Sequence, residues 1–159
     1  MVDFKSKNLF MLSETINRDQ KMNIEKNGYY ITDDQSKLNR EHYTKSLKNT
    51  YWANTRSDET IEKVLANSVM VSIFYQEKQV GFTRLVTDYS TFSYVCDVYI
   101  EPECRGKGLG RYMMDFVSKC PAGNTKLSML TTNNAAELYR KFGYEKNDDL
   151  MIKREINIA

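Results

Sequence analysis

From Tyr29 onward the apolar positions fall into short, bounded runs whose spacing keeps changing. Tyr29 to Thr32 reads as a brief strand. Over 36–49, Leu38, His42 and Leu47 recur at near-helical intervals. The next run opens on Ser57 and Asp58, both able to cap a helix, before Ile61, Val64 and Leu65 gather on one face. Two helices are therefore predicted. Residues 68–100 give three β-rich runs broken only at 77–79 and 88–91, the pattern of an antiparallel meander. After a glycine-rich stretch, Leu109, Met113, Phe116 and Val117 form a helical stripe that stops at Pro121 and Gly123. A strand over 126–130 follows. Then comes a helix over 133–144, with Asn133 or Asn134 as its cap and Gly143 at its end, and a last strand over 150–156. This order predicts an α/β or α+β domain with a mixed sheet. Residues 1–22 stand apart, polar except for Leu9 to Leu12, and are predicted to be a loose extension or a short docked helix preceding a domain over 23–159.

Composition narrows the class. The chain has 159 residues, 41% hydrophobic and 28% charged, which suits one globular domain. With 23 basic and 21 acidic residues it lacks the surplus that nucleic-acid binding requires, and no apolar run is long enough for a membrane span. Cys96, Cys104 and Cys120 are odd in number and match no zinc spacing, so free thiols in a reducing cytoplasm are expected, with no metal. The single histidine, His42, has no cysteine nearby, which leaves little for Ser-His-Asp chemistry.

The chemistry concentrates in "VYIEPECRGKGLGRYMMDFV", residues 98–117. Three of the chain's seven glycines, Gly106, Gly108 and Gly110, lie here between a strand and a helix. A Walker loop fails, because Gly106-Lys107 is followed by glycine rather than Ser or Thr. A dinucleotide fingerprint fails because Arg111 stands where its third glycine belongs. A turn without a ligand and a general phosphate-binding loop for nucleotides remain as alternatives. The positive reading is a helix N-terminus with freed amides, a seat for pyrophosphate, with Arg105 and Lys107 adding attraction.

These residues resemble the coenzyme-binding motif of the GNAT superfamily of acetyl-CoA-dependent N-acetyltransferases. Pro102, Arg105, Gly108 and Gly110 fall on its positions. A second motif is similar to "NAAELYRKFGY", through Asn134, Ala135, Leu138, Tyr139 and Gly143, with Tyr144 where Phe is commoner. The resemblance covers Gly28 to Ile156.

It implies a mostly antiparallel mixed sheet flanked by helices, whose fourth and fifth strands splay apart. It also implies that acetyl-CoA binds and leaves as CoA. The pantetheine arm would pair with Val98, Tyr99 and Ile100, and the pyrophosphate would lie on the amides of Arg105, Gly106, Lys107, Gly108, Leu109 and Gly110. Asn134 would assist, and a backbone N–H near Tyr99 would stabilise the oxyanion. Tyr139 falls on the general-acid position. Asp97 is a candidate base, its alternative being a structural carboxylate bonded to backbone or Arg84. Tyr30, Trp52, Arg56, Arg84 and Tyr94 are candidate pocket walls. The expected acceptor is a small-molecule or peptide amine, and the expected state a monomer or homodimer. A non-catalytic acetyl-CoA-binding module is the alternative function.

Overall fold

The computed structural model describes residues 20–153, and the expectations for 1–19 and 154–156 lie outside them. The chain runs β1 (Asn23–Lys26), β2 (Tyr29–Thr32), α1 (Arg40–Lys48), α2 (Asp58–Ala66), β3 (Val69–Tyr75), β4 (Lys78–Thr87), β5 (Phe92–Ile100), α3 (Leu109–Val117), β6 (Leu127–Leu130) and α4 (Ala136–Arg140). The six strands form one sheet in sequence order. Every pairing is antiparallel except β5 with β6.

Two apolar layers cover the sheet. On one face Ile31, Val71, Ile73, Leu85 and Val95 pack with Met113, Met114, Phe116 and Val117 of α3. On the other, Met70, Phe82 and Tyr99 pack with Tyr43 and Leu47 of α1 and Ile61 and Leu65 of α2. Ser57 caps α2 as expected, its side chain accepting the Thr60 N–H.

Four sequence expectations are corrected. A strand precedes the first predicted one: Asn27 and Gly28 both adopt positive φ, making the tight turn that folds β1 onto β2. The buried face of α1 is Tyr43, Ser46 and Leu47, with His42 half-buried beside it and Leu38 before the helix. The cap of α4 is Ala135, whose N–H donates to Thr132 Oγ1 at 3.0 Å, in place of Asn133 or Asn134. Residues 150–153 form no strand. The residue before β1 is held to the sheet. Met22 packs on the core, and its N–H donates to Asp33 Oδ1 at 2.7 Å.

Two irregularities mark β5. β5 and β6 pair only from Phe92–Leu127 to Val95–Leu130, so residues 96–100 have no β6 partner and the two strands part there. The predicted fourth and fifth strands are these two, renumbered by the added β1. The β4–β5 register also slips: Phe82 faces Tyr99 and Arg84 faces Cys96, leaving Asp97 and Val98 opposite Thr83 alone. This is a β-bulge, and Asp97 takes φ 51° within it.

Candidate active site

β5 ends at Ile100, and one 3-10 turn (Pro102–Cys104) leads to the glycine loop and α3. Gly106 and Gly108 have φ of 75° and 78°, which L side chains rarely adopt, and a Cβ on either would meet open space. The Arg105 N–H is already spent on Pro102 O at 3.2 Å. The first bond into the helix is Tyr112 N–H to Gly108 O at 3.0 Å. Between them the amides of Gly106 to Arg111 donate to nothing among the described residues. Of the six amides the resemblance names, that of Arg105 is therefore already engaged, while that of Arg111 is free beside the others. No acidic residue occupies the first turn of α3, so nothing in that turn opposes an anion. Leu109 is buried and anchors the turn. Gly110 has a different reason to be glycine: its Cβ would lie 3.3 Å from Leu138 Cδ2, where α3 meets α4.

Arg105 does more than attract. Its Nε donates to Ile100 O at 2.9 Å and its guanidinium lies 5.9 Å from the Tyr99 ring centre, clamping the loop against the end of β5. Lys107 is exposed on the loop.

Tyr139 of α4 is buried, and its ring meets Tyr144 edge-on at 6.0 Å. Gly143, at φ 82°, ends this element, letting the Tyr144 N–H reach Tyr139 O at 3.3 Å. Burial, then the neighbouring Tyr144, pushes the Tyr139 phenol above its ordinary pKa, so it keeps its proton.

On the opposite face of the sheet Asp97 is enclosed, its side chain 1% exposed. Its Oδ2 accepts from Arg84 Nε at 2.6 Å, Arg56 Nη1 at 2.8 Å and the Tyr43 hydroxyl at 3.0 Å. Its Oδ1 has no partner among the described residues. Burial alone would raise this carboxyl, but the bond from Arg56 and the charge of Arg84 outweigh it and hold the group below its ordinary range. Cys96, beside it, is pushed up to about 11 by burial and stays a thiol at neutral pH.

The structure therefore brings Arg56, Arg84 and Asp97 together, with Tyr43 as a partner that the sequence did not reveal. Tyr94 reaches Thr131 Oγ1 at 3.2 Å, hydroxyl to hydroxyl. Trp52 lies edge-on to Tyr51, whose hydroxyl accepts from Asn133 Nδ2 at 3.3 Å, so the loop after α1 touches the turn after β6. Asn134 is exposed on that turn. Tyr30 is not part of this group: it stands on β2, three strands from β5, and donates to Asn23 Oδ1. Asp88 is a turn residue, its carboxylate accepting the N–H groups of Ser90, Thr91 and Phe92. A groove between α1 and α2 is lined by Arg40, Glu41, Lys45 and Glu62 among others and shares no residue with this site.

Residues 66–146 match the family model of the acetyltransferase (GNAT) domain, just over half of the chain. The chain belongs to the GNAT acetyltransferase family. A solved GNAT-family structure from Xanthomonas campestris, an inferred acetyltransferase, is 27% identical with a TM-score of 0.75, over 82% of this chain and 95% of that one. A GNAT acetyltransferase from Streptococcus pneumoniae shares the fold at 21% identity and TM-score 0.61, over 88% and 97% of the two chains. An inferred acetyltransferase of Gibberella zeae is 39% identical over 66 residues, 40% of this chain and 37% of the relative's own length. The GNAT fold thus frames both the glycine loop and the parted strands.

Proposed function

We propose that this protein is an acetyl-CoA-dependent N-acetyltransferase that passes the acetyl group directly to the amine of a small molecule or peptide. The observation that carries this reading is the unbroken run of free amides from Gly106 to Arg111, placed beside the unpaired edge of β5. The amides suit a pyrophosphate, and the β5 edge at Val98, Tyr99 and Ile100, free of β6 with Ile100 O held by Arg105, suits an extended arm bearing amide groups. The residues present therefore fit the group. Acetyl-CoA would supply an acyl group activated as a thioester.

The chain's own residues would do the rest. Tyr139 holds a proton at its phenol oxygen, ready for a departing thiolate, since a phenol of pKa near ~10 or above stays protonated where thiols titrate. A β5 amide near Tyr99 would donate to the developing oxyanion. Asp97 would serve as a positioning residue rather than a base: doubly ion-paired and depressed in basicity, it is a poor proton acceptor and a good anchor for Arg56 and Arg84. Cys96, held as a thiol, favours direct transfer over an acyl-cysteine route.

Thermal shift and calorimetry with CoA and ATP test the binding half. Stabilisation by CoA alone supports the reading, and equal stabilisation by ATP would favour a general nucleotide-phosphate loop. Thiol release from acetyl-CoA across a panel of amines tests the chemistry. CoA binding with no release on any amine would favour a non-catalytic acetyl-CoA module.

A further inference from the structure

The cluster around Asp97 is unbalanced. One carboxylate faces two guanidinium groups, and all three of its hydrogen bonds converge on a single oxygen. Among the described residues, Asp97 is the one carboxylate ion-paired with either Arg56 or Arg84. A surplus positive charge is thus held in a largely enclosed setting, which is costly unless an anion shares it.

The two arginines are not equivalent. Arg84 is about nine-tenths buried and committed twice, through Nε to Asp97 and through Nη1 to Ser68 Oγ at 3.0 Å. Arg56 keeps 23% of its side chain exposed and uses one bond, from Nη1. The rest of its planar fork has no partner among the described residues, and a bond to Asp97 fixes its direction. Arg56 also sits on the stretch that carries Tyr51 and Trp52, which are 64% and 43% exposed. Through Tyr51 and Asn133 that stretch bridges to the turn after β6, on the side where β5 and β6 part. A fixed fork with spare donors, on a stretch that also carries two exposed aromatic rings and reaches the turn beside the strand gap, suits a planar or tetrahedral anion.

We propose that the amine acceptor carries an acidic group, a carboxylate or a phosphate, and that the Arg56 guanidinium receives it while Arg84 and Asp97 hold Arg56 in place. This rests on the acetyltransferase reading and names the acceptor class for it.

The test uses matched pairs that differ only in the acid: phosphoethanolamine with ethanolamine, and β-alanine with β-alaninamide. Each is titrated calorimetrically into the CoA-loaded protein, so the readout is binding and needs no turnover. CoA affinity measured first isolates the underlying reading: its failure would concern the coenzyme site, whereas the acceptor arm concerns Arg56. At least one acid-bearing probe should bind about tenfold tighter than its partner, the effect of one charge-assisted contact. Which pair shows it separates phosphate from carboxylate. Arg56→Gln should erase the difference. Arg56→Lys keeps the charge but loses the fork, so it should retain part of the preference and serves if Arg56→Gln does not fold. Equal binding within both pairs, no binding of either acid-bearing probe, or a preference that survives undiminished in both variants would overturn the proposal.

Discussion

Tyr139 and Asp97 are both buried ionisable groups on the GNAT frame, and their surroundings push them in opposite directions. Tyr139 has no charged partner among the described residues and is held in its neutral form by burial. Replacing it by Phe keeps the ring against Tyr144 and removes only the hydroxyl. The expected result is a fall in kcat of about 10²–10⁴-fold with little change in CoA affinity. The deficit should shrink as pH rises from about 6 to 9, because a thiolate of pKa near ~8.5 needs less help there. Near-full kcat at every pH would reduce Tyr139 to a packing residue. Asp97 is held in its charged form by its two arginines. Asp97→Asn would leave both guanidinium groups facing a neutral amide, a change that costs about 3–5 kcal/mol when a buried pair is broken. Denaturant unfolding at pH 7 measures it. A loss well under ~1 kcal/mol would mean that the cluster is far better hydrated than its enclosure indicates.

At the scale of elements, the loop and α3 make the sharpest prediction. Gly108→Val should abolish CoA binding in a protein that still folds, because a side chain would fill the open space before the helix and strain a backbone at φ 78°. A calorimetric affinity equal to wild type would remove the cofactor assignment. This element was readable from sequence because its signals are local: glycines, a proline and a helical stripe within about twenty residues. The α2 cap and the meander were readable for the same reason. β1 is hard to read in the sequence because Asn23–Lys26 holds a single large apolar residue, Ile24, although Asn27-Gly28 is a strong hairpin signal. The role of Tyr43 is not legible in the sequence, because its partner lies 54 positions away and nothing on α1 marks it as polar-bonded. Asn134 precedes α4 at a plausible capping distance, but the cap position falls one residue later at Ala135, whose N–H is held by Thr132, and no side chain caps the helix. Long-range pairing decides only the Tyr43 case; the other two turn on local hairpin and turn geometry.

For the whole molecule, the acid limb of stability follows from these carboxylates. Asp97 has its folded pKa below the unfolded value of about 3.9, so its contribution is complete above that pH and is lost as pH falls through the lower, folded value. Asp34, lowered to about 2 by Lys21 and Ser36, acts in the same sense, though its partner Lys21 is half exposed. Asp33, raised by burial, acts in the opposite sense and offsets part of it. The melting temperature should therefore decline between about pH 4 and 2. Asp97→Asn should start lower and decline less over the same range. Parallel curves for the two proteins would show that Asp97 carries no linkage.

The bulge in β5 has a consequence for how the strand was assembled. Val95, Val98 and Ile100 face the α3 layer while Tyr99 faces α1, so the two-residue alternation fails between Val95 and Val98. Strike Asp97 alone from the chain and it is restored: Cys96 and Tyr99 turn one way, Val98 and Ile100 the other, and Thr83 takes Val98 as its cross-strand neighbour between the existing Phe82–Tyr99 and Arg84–Cys96 pairs. The carboxylate thus behaves as an insertion into a strand that is complete without it. A variant lacking Asp97, with Arg56→Gln and Arg84→Met to remove the stranded charges, should fold with an uninterrupted β4–β5 ladder and a melting temperature at least equal to that of Asp97→Asn. A lower melting temperature would show that the strand depends on the inserted residue.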